Sequence, residues 1–412
     1  MRFSGDFFLN PGFHFDNDYY YTGSYYDDDY YGPNKNVKVD YKSNTFNIQY
    51  AWNTRLGLDF GDNLSVDFRL SNPGGYGNDN LAFKDGNAKG YIPTLPNAYI
   101  TWKPGSLFKF YGGLLETKGN TVLDLVAGFE SMFSASDFDV EDLYDVGGGY
   151  GLWTSFWNWD CEYNSSQAGL KFGFDFSDKF SLNLTTALVS PANALGDAYY
   201  IVYEDGVPVD IEYYYYNHNE FRFILDADIG LGEKVTLSPV FQTRSFWGTY
   251  YDYSNRKNKA SVLLAYGTDI DFAFNDKFNF NVGVALGNIR LGKSYVVNYD
   301  TWGDDIKSFG FLVKAAPSLT LGINELAFNY SLGTGNVKLD EGVYGTYKES
   351  FVCNDLYFGW HFLINDNIAF GPAVQLAFRS DKLKATYESI KSTDKIGGYN
   401  YINFGLEFVA RF

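Results

Sequence analysis

The sequence predicts an all-β chain: a sixteen-stranded antiparallel transmembrane β-barrel with short turns at one end and long loops at the other. Three observations carry that prediction. Apolar and polar residues alternate in segment after segment, the period of a strand with one oily and one wet face. These segments come in pairs joined by turns rich in Gly, Asn, Asp and Lys, and long polar loops separate the pairs. Aromatics make up 20% of the chain, with 36 Tyr and 38 Phe, yet mean hydropathy is only −0.25. A barrel wall that faces lipid on one side and water on the other has that balance. The soluble alternative is an all-β sandwich or propeller. There is no run of eighteen or more apolar residues, so no helix is expected to cross a membrane.

The elements follow in order. Strand 1 is expected at Phe3–Leu9, with Phe3, Gly5, Phe7 and Leu9 on one face and Ser4, Asp6 and Phe8 on the other. A Tyr- and Asp-rich loop is expected over 11–42. Strand 2 spans roughly 44–60, with Phe46, Ile48, Tyr50, Trp52, Leu56, Leu58 and Phe60 facing one way. The turn Gly61-Asp-Asn63 leads into strand 3, where Leu64, Val66, Phe68 and Leu70 alternate with Ser65, Asp67 and Arg69. A second hairpin turns at Lys103-Pro-Gly-Ser106. Five more turn at Ser177-Asp-Lys179, Gly232-Glu-Lys234, Asn275-Asp-Lys277, Gly322-Ile-Asn324 and Asn365-Asp-Asn367. Tyr399–Phe412 supplies the last strand. Ile402, Phe404, Leu406, Phe408, Ala410 and Phe412 share one face, and Asn403, Gly405, Glu407 and Arg411 the other, with Val409 the apolar exception.

Seven hairpins and two terminal strands make sixteen, with both chain ends on the tight-turn side. That even count suits a closed barrel spanning residues 1–412 as one domain, with short periplasmic turns and long extracellular loops. Phe60, Phe176, Phe180, Phe274, Phe278 and Phe412 sit beside short turns on the oily face and are expected to form an interfacial aromatic girdle. Loops are expected at 11–42, 73–95, 116–164, 190–218, 246–258, 288–306, 333–350 and 380–398. Met1–Phe8 lacks a charged segment followed by a continuous apolar one, so a removed signal peptide is the expectation that the strand pattern favours.

The closing strand with its terminal Phe412 resembles the last strand of Gram-negative outer-membrane barrels. Sixteen strands, eight loops and a longest third loop resemble the general bacterial porins over the whole chain. The short acidic motif common in the third loop of enterobacterial porins is missing here. The resemblance implies localisation in the bacterial outer membrane, with outer-membrane lipid as solvent. It further implies passive diffusion of ions and small hydrophilic solutes, and a homotrimer as an assembly to be tested. It also implies that residues 116–164 fold inward and narrow the pore.

Within that loop the acids Glu116, Asp124, Glu130, Asp137, Asp139, Glu141, Asp142, Asp145, Asp160 and Glu162 stand against a single base, Lys118. Val122, Leu125, Val126 and Phe129 have helical spacing, so Thr121–Met132 is expected to form a short helix. The wet strand faces carry Arg55, Arg69, Lys109, Lys171, Arg222, Arg244, Lys314, Arg379 and Arg411. Acids on an inserted loop opposite bases on the wall set up a transverse field, and an acidic constriction gives weak cation preference. The plainer reading pairs these bases with Asp67, Asp226, Asp228, Asp269 and Asp271 as ordinary lumen charges.

Other functions draw less support. The net charge of −18 argues against nucleic acid as a partner. The cluster Asp137–Asp145 offers hard oxygen ligands but lacks the glycine and spacing of an EF-hand, so no metal or other cofactor is expected. Cys161 and Cys353 allow at most one bridge. His14, His218 and His361 sit in no nucleophile motif, so no enzyme activity is expected. The alternative to a channel is an adhesin or receptor barrel. It would bind a partner through the Tyr-rich stretches Tyr19–Tyr31, Tyr213–Tyr216 and Trp247–Tyr253.

Overall fold

The computed structural model describes residues 1–22, 37–71, 94–115, 120–123, 125, 167–189, 198–204, 207–214, 217–249, 261–291, 306–340, 346–387 and 390–412. The first seven strands are β1 (Arg2–Thr22), β2 (Val37–Asp59), β3 (Leu64–Ser71), β4 (Thr94–Trp102), β5 (Phe108–Leu115), β6 (Gln167–Ser177) and β7 (Phe180–Val189). A small hairpin follows, β8 (Ala198–Glu204) and β9 (Val207–Tyr214). The chain continues through β10 (Asn217–Gly230), β11 (Val235–Thr249), β12 (Ser261–Asn275), β13 (Phe278–Leu291) and β14 (Ile306–Leu321). It ends with β15 (Asn324–Asp340), β16 (Thr346–Asn365), β17 (Ile368–Tyr387) and β18 (Ile390–Arg411). Sixteen of these close into one barrel, each pairing antiparallel with its sequence neighbour except where β10 pairs with β7 and β1 with β18. The strand count expected from the sequence is met. The β8–β9 hairpin stands outside the barrel as its own two-stranded sheet.

Alternation decides which way the wall faces. On β18, Phe404 and Leu406 are 52% and 55% exposed, while Glu407 on the opposite face is 1% exposed. Phe13, Phe46, Phe274, Phe358, Trp360 and Phe370 repeat that outward exposure on other strands. A continuous apolar exterior of this extent would be costly in water and is the solvated state in hydrocarbon. Val409, the apolar exception on the inner face, stands directly opposite Phe8, the apolar exception of β1. Both are buried, so the two irregularities cover one another.

The seam is made by the chain ends. β1 and β18 register Asp6 with Arg411 and Leu9 with Phe408. Gly5 N donates to Phe412 O at 2.8 Å, and Phe412 N donates to Gly5 O at 2.9 Å. The Phe3 and Phe412 rings lie 5.8 Å apart at the rim. The short turns use the residues that tight turns need. Gly61, Gly232 and Gly322 have φ of 73°, 87° and 62°, open to glycine at little cost. Asn275 Oδ1 accepts from the Lys277 and Phe278 amides at 2.9 and 3.0 Å, and Asn365 Oδ1 accepts from Asn367 at 2.8 Å. Beside these turns Phe176 stacks on Phe180 at 5.1 Å and Phe274 on Phe278 at 5.3 Å, as a girdle requires.

The loops are where the structure departs from the sequence reading. The loop expected at 11–42 shrinks, because β1 runs to Thr22 and β2 starts at Val37. That expected at 333–350 shrinks to the interval between Asp340 and Thr346, and that at 380–398 to the interval between Tyr387 and Ile390. The stretch 190–218 contains β8 and β9. The loops at 73–95, 116–164, 246–258 and 288–306 lie mostly outside the described residues. The reason is physical. Outward hydrophobic alternation stops at the membrane edge, but strand pairing needs only a partner backbone and continues beyond it. The outward apolar positions of β18 end at Ile402 and those of β17 at Phe378, whereas the strands are 22 and 20 residues long. At ~3.3 Å per residue and a tilt of about 40–45°, β18 rises roughly 50 Å, about twice the apolar band. On the other side β3, β4 and β5 are 8, 9 and 8 residues long.

Leu406→Arg tests the lipid-facing assignment. In phospholipid vesicles, urea unfolding followed by tryptophan fluorescence should show a loss of about 2–4 kcal/mol. A change within about 0.5 kcal/mol, the usual effect at a water-exposed site, would place this face in water.

Candidate pore lumen

The inner wall is polar but not empty of structure. After Leu115 the chain leaves β5, and Asn120–Leu123 with Leu125 forms a helical turn. Asn120 caps it, its Oδ1 accepting from the Leu123 amide at 2.8 Å. The turn lands on β12, which is separated from β5 along the wall by β6, β7, β10 and β11. Thr121 N donates to Asp269 Oδ2 at 3.1 Å, and Thr121 Oγ1 donates to Asp269 Oδ1 at 2.6 Å. A carboxylate at a helix N-terminus satisfies unpaired amides and meets the positive end of the local dipoles. Thr121, Val122, Leu125 and Asp269 are all buried there.

Two glycines make room for the turn. A Cβ on Gly267 would sit 2.8 Å from Val122 Cγ2, and one on Gly283 would sit 2.5 Å from Asp269 Oδ1. Both positions face inward, next to Ala265 and Ala285, which are also buried. So the segment after β5 turns into the barrel interior at Asn120–Leu123 and is pinned to β12, five strands along the wall. The stretch expected as a helix over Thr121–Met132 is helical at Thr121–Leu123 and Leu125, and its remaining residues lie outside the described residues. Glu116, Asp124, Glu130, Asp137, Asp139, Glu141, Asp142 and Asp145 lie outside the described residues.

The expected wall bases are on inward positions where they are described. Arg55 registers opposite Arg69, and Arg222 opposite Arg244. Arg69, Arg222 and Arg379 are buried. Arg55, Arg69, Arg222 and Arg379 are all engaged by neighbouring groups, so the wall is not a set of free cations. Lys109 forms an ion pair with Asp175, and Lys171 lies over the Tyr111 ring, 5.6 Å from its centroid. The acids of the plainer reading bind amides and hydroxyls as well: Asp226 accepts from Asn183 at 2.7 Å, Asp228 from Ser238 at 2.6 Å and Asp271 from Asn281 at 2.7 Å. At the short-turn mouth a cavity of about 440 Å³ is lined by Tyr99, Tyr111, Lys103 and Asp62. There Arg2 Nη2 lies 3.0 Å from both Asp59 and Asp67.

A second cluster joins three strands. Glu407 Oε2 on β18 accepts from the Tyr357 hydroxyl at 2.6 Å and lies 2.6 Å from His361 Nε2, both on β16. β17 lies between them and presents Gly371 opposite Glu407. With no side chain at Gly371, the two outer strands bridge directly. Tyr357, His361 and Glu407 are fully buried, so this cluster fastens the wall and offers no surface for a substrate. Sequence reasoning found no nucleophile motif at His361 and missed its partner, since Glu407 is distant in the chain. It also missed the Thr121–Asp269 anchor. Inward glycines at 267, 283 and 371 were the available signal, because a glycine inside a strand marks a close approach.

No protein-family model and no curated protein matches the chain. Among solved structures, the barrel is similar to the in-vitro-folded trimer form of OmpT, an outer membrane protein of Vibrio cholerae, at 10% identity over 100% of both chains and a TM-score of 0.45. It is similar to an anion-selective porin from Comamonas acidovorans, at 12% identity over 100% of both chains and a TM-score of 0.42. The outer membrane channel DcaP of Acinetobacter baumannii aligns at 11% identity over 99% of this chain and 97% of its own, with a TM-score of 0.42.

Two measurements probe these anchors. Gly283→Val should expel the turn, and limited proteolysis of the folded barrel should then cleave the third loop faster; an unchanged digest would disprove the seat on β12. In a double-mutant cycle, His361→Ala and Glu407→Ala should couple by about 0.5–3 kcal/mol in unfolding free energy. Strict additivity would mean that the bridge contributes nothing.

Proposed function

We propose that the chain is a passive diffusion channel of a bacterial outer membrane for ions and small hydrophilic solutes, with weak cation preference. The observation that carries this reading is the third-loop turn seated on Asp269, across the interior from the strand it leaves. In this reading the acid-rich segment Asp137–Asp145, which follows in the same loop, narrows the passage. Glu116, Asp124 and Glu130 belong to the same constriction in this reading, opposite wall bases such as Arg55, Arg69, Lys109 and Lys171. In a narrow passage of reduced dielectric, unpaired charge of one sign weighs heavily on which ions pass.

The fold supports transport over catalysis. A closed barrel with an oily exterior and a polar interior spans a membrane without leaving backbone groups unsatisfied. The second reading, an adhesin or receptor barrel, draws on the β8–β9 hairpin, which stands apart from the barrel and carries Tyr199, Tyr200, Tyr203, Tyr213 and Tyr214. Assembly as a homotrimer is part of the channel proposal, and sedimentation in detergent measures it.

Planar-bilayer recording under a KCl gradient decides between the readings. A channel gives stable open steps and a reversal potential of the sign for cation preference, whereas a plugged adhesin barrel gives no steps. Deleting 134–145 should raise conductance and shift the reversal potential toward zero. Unchanged values would remove the acidic loop from the constriction.

A further inference from the structure

We infer that the inner wall at the short-turn mouth, over β2 to β5, is a binding site for an uncharged oligosaccharide of disaccharide size. Strand register is the starting observation. Asp59 of β2 stands opposite Ser65 of β3, Ser65 opposite Thr101 of β4, and Thr101 opposite Tyr111 of β5. In the next row Asp67 stands opposite Tyr99. These residues lie on the inner face, since Leu64, Ile100 and Trp102, which alternate with them, are exposed on the oily side. Side-chain oxygens thus run across four neighbouring strands and line a cavity of about 440 Å³. That volume falls in the range of small-molecule sites, about 300–1,000 Å³.

Charge narrows the ligand class. The Arg2 guanidinium crosses Gly57, where a Cβ would sit 2.9 Å from Nη2, and lies 3.0 Å from both Asp59 and Asp67. One base is thereby shared by two carboxylates and forms a planar polar floor instead of an isolated cation. Asp62 and Lys103 stand at the rim, on neighbouring short turns. The lining therefore sets three acids, Asp59, Asp62 and Asp67, against two bases, Arg2 and Lys103. A phosphate or a dicarboxylate meets an excess of negative charge there. A small cation would have to displace Arg2 from both of its carboxylates. Sugar hydroxyls both donate and accept, so they match carboxylates, hydroxyls and an ammonium alike, and they bring no charge that must be desolvated.

The aromatic pair is the second observation. The Tyr99 and Tyr111 rings meet edge to face, with centroids 6.1 Å apart and planes at 61°. Gly113, exposed and directly opposite Tyr99, puts no side chain against that ring's flank. Thr101, beside both tyrosines, is 4% exposed, so the row is part of the wall and not a fringe of mobile surface groups. Aromatic faces beside a row of oxygens match the two sides of a pyranose, which has C–H bonds on its face and hydroxyls at its edge. A zwitterion would engage Asp62 and Lys103 and leave the oxygen row and the rings without matching groups. The site names a solute class for one mouth of the passage and rests on the channel reading for its access to solute, whereas binding itself requires no conduction.

The test uses the full folded chain in lauryldimethylamine oxide micelles, a detergent without sugar, titrated with trehalose and read by saturation-transfer NMR. Wild-type protein should transfer saturation to the trehalose C–H protons. Tyr99→Ala should weaken binding roughly tenfold, the loss expected for a well-packed aromatic contact. Thr101→Val, of nearly equal shape, should weaken it roughly fivefold by leaving a sugar hydroxyl unpaired. Asp276→Ala with Lys277→Ala, on a different short turn, should change nothing. Glycylglycine and inorganic phosphate should not compete with trehalose. Unchanged binding in Tyr99→Ala or Thr101→Val, an equal loss in the turn control, or competition by either charged probe would overturn the inference. Should Tyr99→Ala fail to fold, Tyr111→Phe keeps the ring and removes only its hydroxyl; it should lose roughly threefold or more, and no loss would overturn the site. A silent bilayer recording with trehalose still bound would sink the channel and leave the site, whereas open steps without trehalose binding would sink the site and leave the channel.

Discussion

Hydrocarbon offers no partner to a backbone amide, and every feature of this molecule follows from meeting that demand. Each unsatisfied group costs several kcal/mol, so a sheet in lipid must have no edge. The edges are removed where β1 meets β18, through a ladder running from Asp6–Arg411 up to Tyr20–Gly397. Phe3 and Phe412 cap it at the rim. Closure also fixes which side of each strand is dry. Once Phe404 and Leu406 face lipid, Asn403 and Glu407 must face inward, and the interior inherits the polar half of the alternation.

The interior also has to admit contacts between distant strands, and glycine makes room for them. Gly267 and Gly283 open a seat on β12 and β13 for the first turn of the third loop. Asp269 locks it with two hydrogen bonds. Gly371 lets His361 and Glu407 meet across an intervening strand. In each case the missing side chain is what allows a longer one to reach. The buried Tyr357–Glu407–His361 bridge stiffens the wall at the short-turn half, while the anchored turn sits at another point on the inner circumference.

Among the described residues, β3 to β5 are short, whereas β16 to β18 continue far beyond the apolar band. Above the band the constraint changes. Water can satisfy backbone groups there, so pairing is a choice of sequence and not a necessity.

Much of this was legible in the chain itself. Period-two alternation, turn residues such as Asn275-Asp-Lys277, and the even count gave sixteen strands, their facing and the positions of the short turns, because these depend on local backbone geometry and on one solvent boundary. Inward placement of Arg69, Arg222 and Arg379 followed from the same alternation. The extent of β1, β2 and β15 to β18 was not legible, since above the membrane the hydrophobic pattern that marks a strand disappears while the pairing persists. Nor were the pairs Thr121–Asp269 and His361–Glu407. Sequence by itself determined that the chain closes and which face is oily, because alternation is a property of each strand alone. Only the tertiary structure decided which distant residues meet, because register between strands sets those contacts, and one inserted residue at a bulge is enough to change them.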